Sequence, residues 1–189
     1  MSISLVWKIL FYGWTAGEVL LVIATRTRRS GGLLRDHGSL LILWASIVGA
    51  IFATGSIAQR FPAPMFPGIH WVGDAAIGLM IAGLLVRWIA ILSLGKAFSV
   101  NVAIREAQTL YRSGLYGIVR HPSYTGMVLI FAALALAERN WWASMVLFLL
   151  PTAALFFRIH VEEAALREAF GAEYANYCKA TRRLIPGVY

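Results

Sequence analysis

Charge is scarce in this chain. Asp, Glu, Lys and Arg together make up only 14% of its 189 residues, against about 25% in soluble domains. Cysteine is scarcer still, with Cys178 alone, which excludes an intrachain disulfide and a cysteine-built metal site. Cys178 has no base beside it in sequence, so a catalytic thiol is not expected. No G-x-G-x-x-G opens a nucleotide-binding unit, and neither G-x-x-x-x-G-K-[ST] nor G-x-S-x-G is present. His37, His70, His121 and His160 lack metal-ligand spacing with one another or with the cysteine, so no metal is expected. Internal repeats and low-complexity tracts are absent. There is no compact basic face of the kind that binds nucleic acid.

Apolar residues are abundant instead, at 59%, with a mean hydropathy of +0.70. So small a soluble chain cannot hide that much apolar surface. The expected class is an all-α integral membrane helical bundle of about five transmembrane helices. Three long apolar runs, Ile3–Ala24, Leu40–Ala58 and Ile69–Leu94, give three spanning helices within residues 1–94. Two shorter runs follow, Tyr124–Ala137 and Trp141–Phe157. At 1.5 Å per residue these are about 21 and 25 Å long, slightly under a ~30 Å hydrocarbon core. Only Glu138, Arg139 and Asn140 join them, so they form a tight antiparallel hairpin, followed by cytoplasmic C-terminal helices. The first run is too long and lacks the basic start of a signal peptide, so none is expected.

The net charge of +8 resolves largely into topology. Loop 25–39 carries Arg26, Arg28, Arg29 and Arg35. Segment 95–123 carries Lys96, Arg105, Arg112 and Arg120, and the tail carries Arg158, Arg167, Lys179, Arg182 and Arg183. Basic residues gather on the cytoplasmic side, which puts the N-terminus outside and the C-terminus in the cytoplasm. Two charges, Glu18 and Arg87, fall inside apolar runs at matching depth. Either they pair or flank a polar cavity, or Arg87 snorkels to the inner headgroups.

Polar punctuation is concentrated in residues 95–189, the half expected to bind cofactor and acceptor. Ser113–Gly126 contains Arg120-His121-Pro122. Proline suits the first turn of a helix, so a helix is expected to start here with its amides toward the cytoplasm, an end that favours a carboxylate. By itself this run also serves as an interfacial anchor, with Tyr116 and Tyr124 in the aromatic belt. A second cluster begins at Arg158, four residues before Glu162 on one helix face, and Glu163 stands four before Arg167. Phe170-Gly171 then marks a helix break, and Tyr174 and Tyr177 lie one turn apart. The hairpin makes both clusters emerge side by side. Donors, carboxylates and rings then converge, as recognition of a ligand with a carboxylate, an amine and a ring requires.

Arg120, His121, Pro122, Tyr124 and Gly126 make R-H-P-x-Y-x-G. After the hairpin come Arg158, Glu162, Glu163, Leu166, Phe170, Gly171, Tyr174 and Tyr177, then Arg183 and Pro186. In this order, with Gly114 and Tyr116 upstream, the run resembles the isoprenylcysteine carboxyl methyltransferase family, within a wider group that includes phospholipid N-methyltransferases. The resemblance covers about residues 87–189. It implies an integral membrane methyltransferase using S-adenosyl-L-methionine, with a cytoplasmic cofactor pocket and a lipid or prenylated acceptor entering from the bilayer. By the same resemblance, Tyr116, Arg120, His121, Pro122, Tyr124, Glu163, Tyr174 and Tyr177 line the cofactor pocket. Arg158, oriented by Glu162, meets the acceptor's polar head as the catalytic pair. A carboxylate needs a cation and no base, whereas an amine needs a base. Arg158 therefore favours an isoprenylcysteine-like carboxylate over the amine of phosphatidylethanolamine. Other classes left open are a nicotinamide-dependent membrane reductase and a non-catalytic lipid-binding protein.

Overall fold

The computed structural model describes residues 3–25, 32–34, 36, 38–66, 69–95, 98, 103–105 and 109–187. Five helices make the bundle: α1 (Ile3–Thr25), α2 (Ser39–Arg60), α3 (Val72–Leu94), α4 (Pro122–Glu138) and α5 (Trp141–Ala180). A three-residue antiparallel ribbon, β1 (Gly32–Leu34) with β2 (Ala103–Arg105), is the sole sheet among the described residues. Of the basic residues expected on the inner loops, Arg26, Arg28, Arg29, Arg35 and Lys96 lie outside the described residues.

Helices α1, α2, α3 and α5 are long and apolar enough to cross a membrane, and α4 is shorter at 17 residues. At 1.5 Å per residue α4 reaches about 25 Å, so it needs its flanking turns to bridge the hydrocarbon. The hairpin forms as its short connection requires. Arg139 takes the left-handed conformation at φ 53°, and Asn140 caps α5 by accepting the Ala143 amide at 3.1 Å. The loop after α2 is stitched to this turn, with Asn140 Nδ2 donating to Phe61 O at 3.0 Å and Met65 N donating to Arg139 O at 2.8 Å.

Helix α5 runs much further than its apolar stretch, carrying Arg158–Arg167 on the same rod until Gly171 breaks it at φ 50°. A φ of that sign strains any residue with a Cβ. Large apolar side chains such as Leu41, Phe52 and Leu92 face outward, Phe52 at 80% exposure, as a lipid-facing surface does. The interior is built on Met80, Ile130, Phe131, Leu147, Leu155 and Ile159.

Helices α3 and α4 approach most closely at Gly83 and Gly126. A Cβ on Gly126 would lie 2.7 Å from Gly83 O and from Arg87 N. Small residues give this backbone proximity, which drives helix packing in lipid. One turn from that contact, the buried Arg87 makes a two-point pair with Glu18 of α1. Its Nη2 donates to Oε2 at 2.6 Å and its Nε to Oε1. Nη1 donates to Ser123 Oγ at 2.8 Å. Of the two readings of these charges, pairing is the one adopted, and it binds α1, α3 and the start of α4 together.

Candidate active site

The start of α4, the middle of α5 and the tail after Gly171 meet at one end of the bundle. Pro122 occupies the first turn of α4, as its missing amide allows. The chain just before α4 is tied to the tail. The Arg120 and His121 amides donate to Arg182 O at 2.7 Å and Arg183 O at 3.0 Å. Thr125 Oγ1 donates to Leu184 O at 2.8 Å. The tail therefore packs beside the start of α4, whose own Tyr124 and Thr125 amides donate to His121 O at 3.0 Å each.

Two carboxylates organise what lies beneath. Glu163 is fully buried. It accepts from Arg120 Nε at 3.2 Å, Arg183 Nη2 at 2.9 Å and Arg167 Nη2 at 3.0 Å. His121 Nε2 stands 3.5 Å from it. Arg120 also donates to Thr181 O at 2.5 Å and Cys178 O at 3.1 Å, so Glu163 and Arg120 tie three chain segments into one unit. Charge-assisted bonds of this kind are about twice as strong as neutral ones.

The second centre is Tyr124. Its hydroxyl donates to Glu162 Oε2 at 2.6 Å and accepts from Arg158 Nε at 3.0 Å. Glu162 thus reaches Arg158 through a phenol. The His121 ring stacks on Tyr124 with centroids 5.5 Å apart and 19° between planes. Arg158 Nη1 donates to Asp36 Oδ1 at 2.7 Å and to Ser39 Oγ at 2.9 Å. Burial alone would raise the Asp36 pKa, but the Leu40 amide, Arg158 and Ser39 outweigh it and hold it below the ordinary carboxylate value.

Tyr174 and Tyr177 lie against this cluster, with centroids 6.1 Å apart. Tyr177 Oη donates to Tyr116 O at 2.6 Å, which fixes the turn Gly114–Gly117. Burial raises the Tyr116 phenol pKa, so it stays a donor, to Ala90 O at 3.4 Å. One buried polar atom in the cluster, Tyr174 Oη, has no hydrogen-bond partner among the described residues, and His121 Nε2 meets Glu163 Oε1 only at 3.5 Å. An orphaned buried group is expensive and rare, and it suits a ligand site. No group of three His, Cys, Asp or Glu able to hold a metal occurs among the described residues.

All ten residues singled out from sequence therefore sit at one end of the bundle. Sequence reasoning missed three that contact them. Arg183 was seen only as part of a motif. Asp36 and Ser39 belong to the first half, whose role was thought to be plain membrane helix. The one signal for them was the helix-start pattern Asp36-x-x-Ser39 before an apolar run, and it carried no hint of Arg158.

Comparison with known proteins gives the same picture. The family model for isoprenylcysteine carboxyl methyltransferases matches residues 76–168. Protein-S-isoprenylcysteine O-methyltransferase B of Arabidopsis thaliana is 28% identical over 128 residues, 65% of this chain and 65% of its own length. A probable protein-S-isoprenylcysteine O-methyltransferase of Oryza sativa subsp. indica is 25% identical across 94% of this chain and 91% of its own. The chain thus spans just under two thirds of the Arabidopsis relative it matches and most of the rice one. The solved structure of a eukaryotic intramembrane Ras methyltransferase, ICMT, superposes with a TM-score of 0.63 at 26% identity, covering 76% of this chain and 51% of that one. Signature residues, helical architecture and these likenesses coincide, and the chain is similar to the isoprenylcysteine carboxyl methyltransferase family along residues 76–168.

Proposed function

We propose that this protein is a membrane methyltransferase that uses S-adenosyl-L-methionine to esterify the carboxylate of an isoprenylcysteine-like lipid. The observation that carries the reading is the buried Arg158 guanidinium, aligned by Tyr124, whose ring stacks on His121. Residues 95–189 supply most of the site, and it faces the cytoplasm, where thirteen of the 17 basic residues gather.

The cofactor's own chemistry is a sulfonium-activated methyl group. The residues fit it: His121 Nε2 and Tyr174 Oη offer polar contacts, and Tyr116, Tyr124, Tyr174 and Tyr177 offer ring surfaces. Arg120 holds the wall through its backbone and guanidinium bonds, Pro122 opens α4 beside it, and Glu163 locks that wall to the tail. Arg158 orients the acceptor's carboxylate with its planar fork. Tyr124 and Glu162 keep that fork from rotating. The acceptor is already ionised near pH 7 and asks no proton transfer of the protein. Fixing two reactants in line is worth up to about 7–11 kcal/mol of the barrier. The covering tail keeps water from the methyl group.

The test is methyl transfer by detergent-purified protein from labelled S-adenosyl-L-methionine to N-acetyl-S-farnesylcysteine or phosphatidylethanolamine. Label in the first alone is expected. Label in the phospholipid alone moves the reading to an N-methyltransferase. Label in neither, with no cofactor binding by calorimetry, refutes the methyltransferase. Arg158→Ala is expected to abolish transfer and to keep the cofactor-induced rise in melting temperature. Loss of that rise would place Arg158 against the cofactor instead.

A further inference from the structure

The proposed function needs Arg158 for the acceptor's carboxylate, yet the chain already puts a carboxylate there. Three donors converge on Asp36: Arg158 Nη1 at 2.7 Å and Ser39 Oγ at 2.9 Å on Oδ1, and the Leu40 amide at 3.1 Å on Oδ2. A cation, a hydroxyl and a first-turn amide around one anion form a carboxylate receptor, and its occupant comes from the chain itself. Arg158 is 3% exposed and Asp36 12%, so the cation is the fixed wall and Asp36 the outer member. Asp36 also sits in the short connection from β1 to α2. It lies two residues after β1 and two before Gly38, which has φ 74°.

We propose that Asp36 is an intramolecular stand-in for the acceptor carboxylate, a latch that the acceptor displaces from Arg158 in order to bind. The proposal rests on the carboxyl-acceptor reading above. A buried guanidinium robbed of its paired anion is strongly destabilised. Asp36 spares the free protein that state. Exchange of one carboxylate for another leaves the charge count at Arg158 unchanged, so entry is nearly balanced. A neutral or cationic headgroup offers no such exchange. It has to leave Asp36 in place or take that anion from Arg158 without replacing it. The latch therefore also acts as a specificity device, since it penalises any headgroup that is not an anion.

The experiment measures binding by calorimetry of N-acetyl-S-farnesylcysteine and of its carboxamide, to detergent-purified wild type, Asp36→Asn and Asp36→Ser. Serine keeps a helix cap for the Leu40 amide without the charge, so it serves if the asparagine variant does not fold. Removal of the competitor is expected to tighten carboxylate binding at least about fivefold, the low end of ordinary coupling. Carboxamide binding is expected to stay the same. Equal or weaker carboxylate binding by folded variants overturns the latch. So does equal tightening for the carboxamide, which would mean a steric plug. Wild type that binds the carboxylate with no gain in the variants overturns the latch alone. Binding of neither ligand by any of the three proteins overturns the latch and the carboxyl-acceptor reading together.

Discussion

Glu18→Gln gives the sharpest test of the bundle. Glu18 is 4% exposed and Arg87 5%, so neither charge reaches solvent. The carboxylate accepts from both Nε and Nη2 of Arg87. Glutamine keeps one oxygen and turns an amide nitrogen toward a guanidinium nitrogen, so one bond is replaced by two facing donors. It also removes the only anion paired with this cation among the described residues, while Ser123 Oγ stays at 2.8 Å. Breaking a buried pair from one side costs about 3–5 kcal/mol. At about 2–4 °C per kcal/mol for a chain this long, the melting temperature should fall by roughly 10 °C. The assay is thermal unfolding in detergent, followed by tryptophan fluorescence. Arg87→Met alone should also lower it, and the double variant Glu18→Gln/Arg87→Met should fall by less than the sum of the two. A shift below about 2 °C for Glu18→Gln would refute the claim that this pair holds α1 to α3.

The remaining predictions concern the helix contact and the site. Gly126→Ala should cost about 1–3 kcal/mol, because its methyl meets backbone at 2.7 Å, whereas Gly78→Ala, with nothing within 4 Å, should be neutral by the same melting assay. Tyr124→Phe deletes the hydroxyl joining Glu162 to Arg158 and should slow methyl transfer at least about tenfold, an effect of about 1.4 kcal/mol, with the fold kept by circular dichroism. The Asp36 pKa lies below its ordinary value of 3.8. Its stabilisation is therefore complete above that value and lost as pH falls through the lower folded one. The difference in melting temperature between wild type and Asp36→Asn should accordingly be largest near pH 6 and shrink on acidification below 3.8.

The fold was legible because each helix carries its own signal. Apolar runs, Pro122 and Gly171 mark spans, a start and a break through backbone chemistry that acts locally. The Glu18–Arg87 pair was legible as one of two outcomes, since matching depth in two spans follows from counting residues. The tail's place beside α4 was not legible, because the carbonyls that hold the Arg120 and His121 amides come some sixty residues later in the chain. Asp36 was missed for a similar reason. In sequence it is one acid among the arginines of loop 25–39, and 122 residues separate it from Arg158. Long-range pairing of that kind leaves no periodicity to read.

The arrangement of the two tail carboxylates bears on the acceptor. An amine acceptor has to lose a proton, which calls for a carboxylate or imidazole with an available lone pair at the lipid-facing side. Glu163 is fully buried, and three guanidiniums converge on it, so its lone pairs serve the tail. Glu162 is half-buried and accepts the Tyr124 hydroxyl at 2.6 Å, so one of its oxygens is already engaged. Arg158 beside it repels an ammonium. Each carboxylate is thus committed to holding a neighbour in place. A carboxylate acceptor asks only for a held cation, and the Tyr124–Arg158 pair supplies one. The chemistry that this site serves with least rearrangement is ester formation on an anionic lipid head.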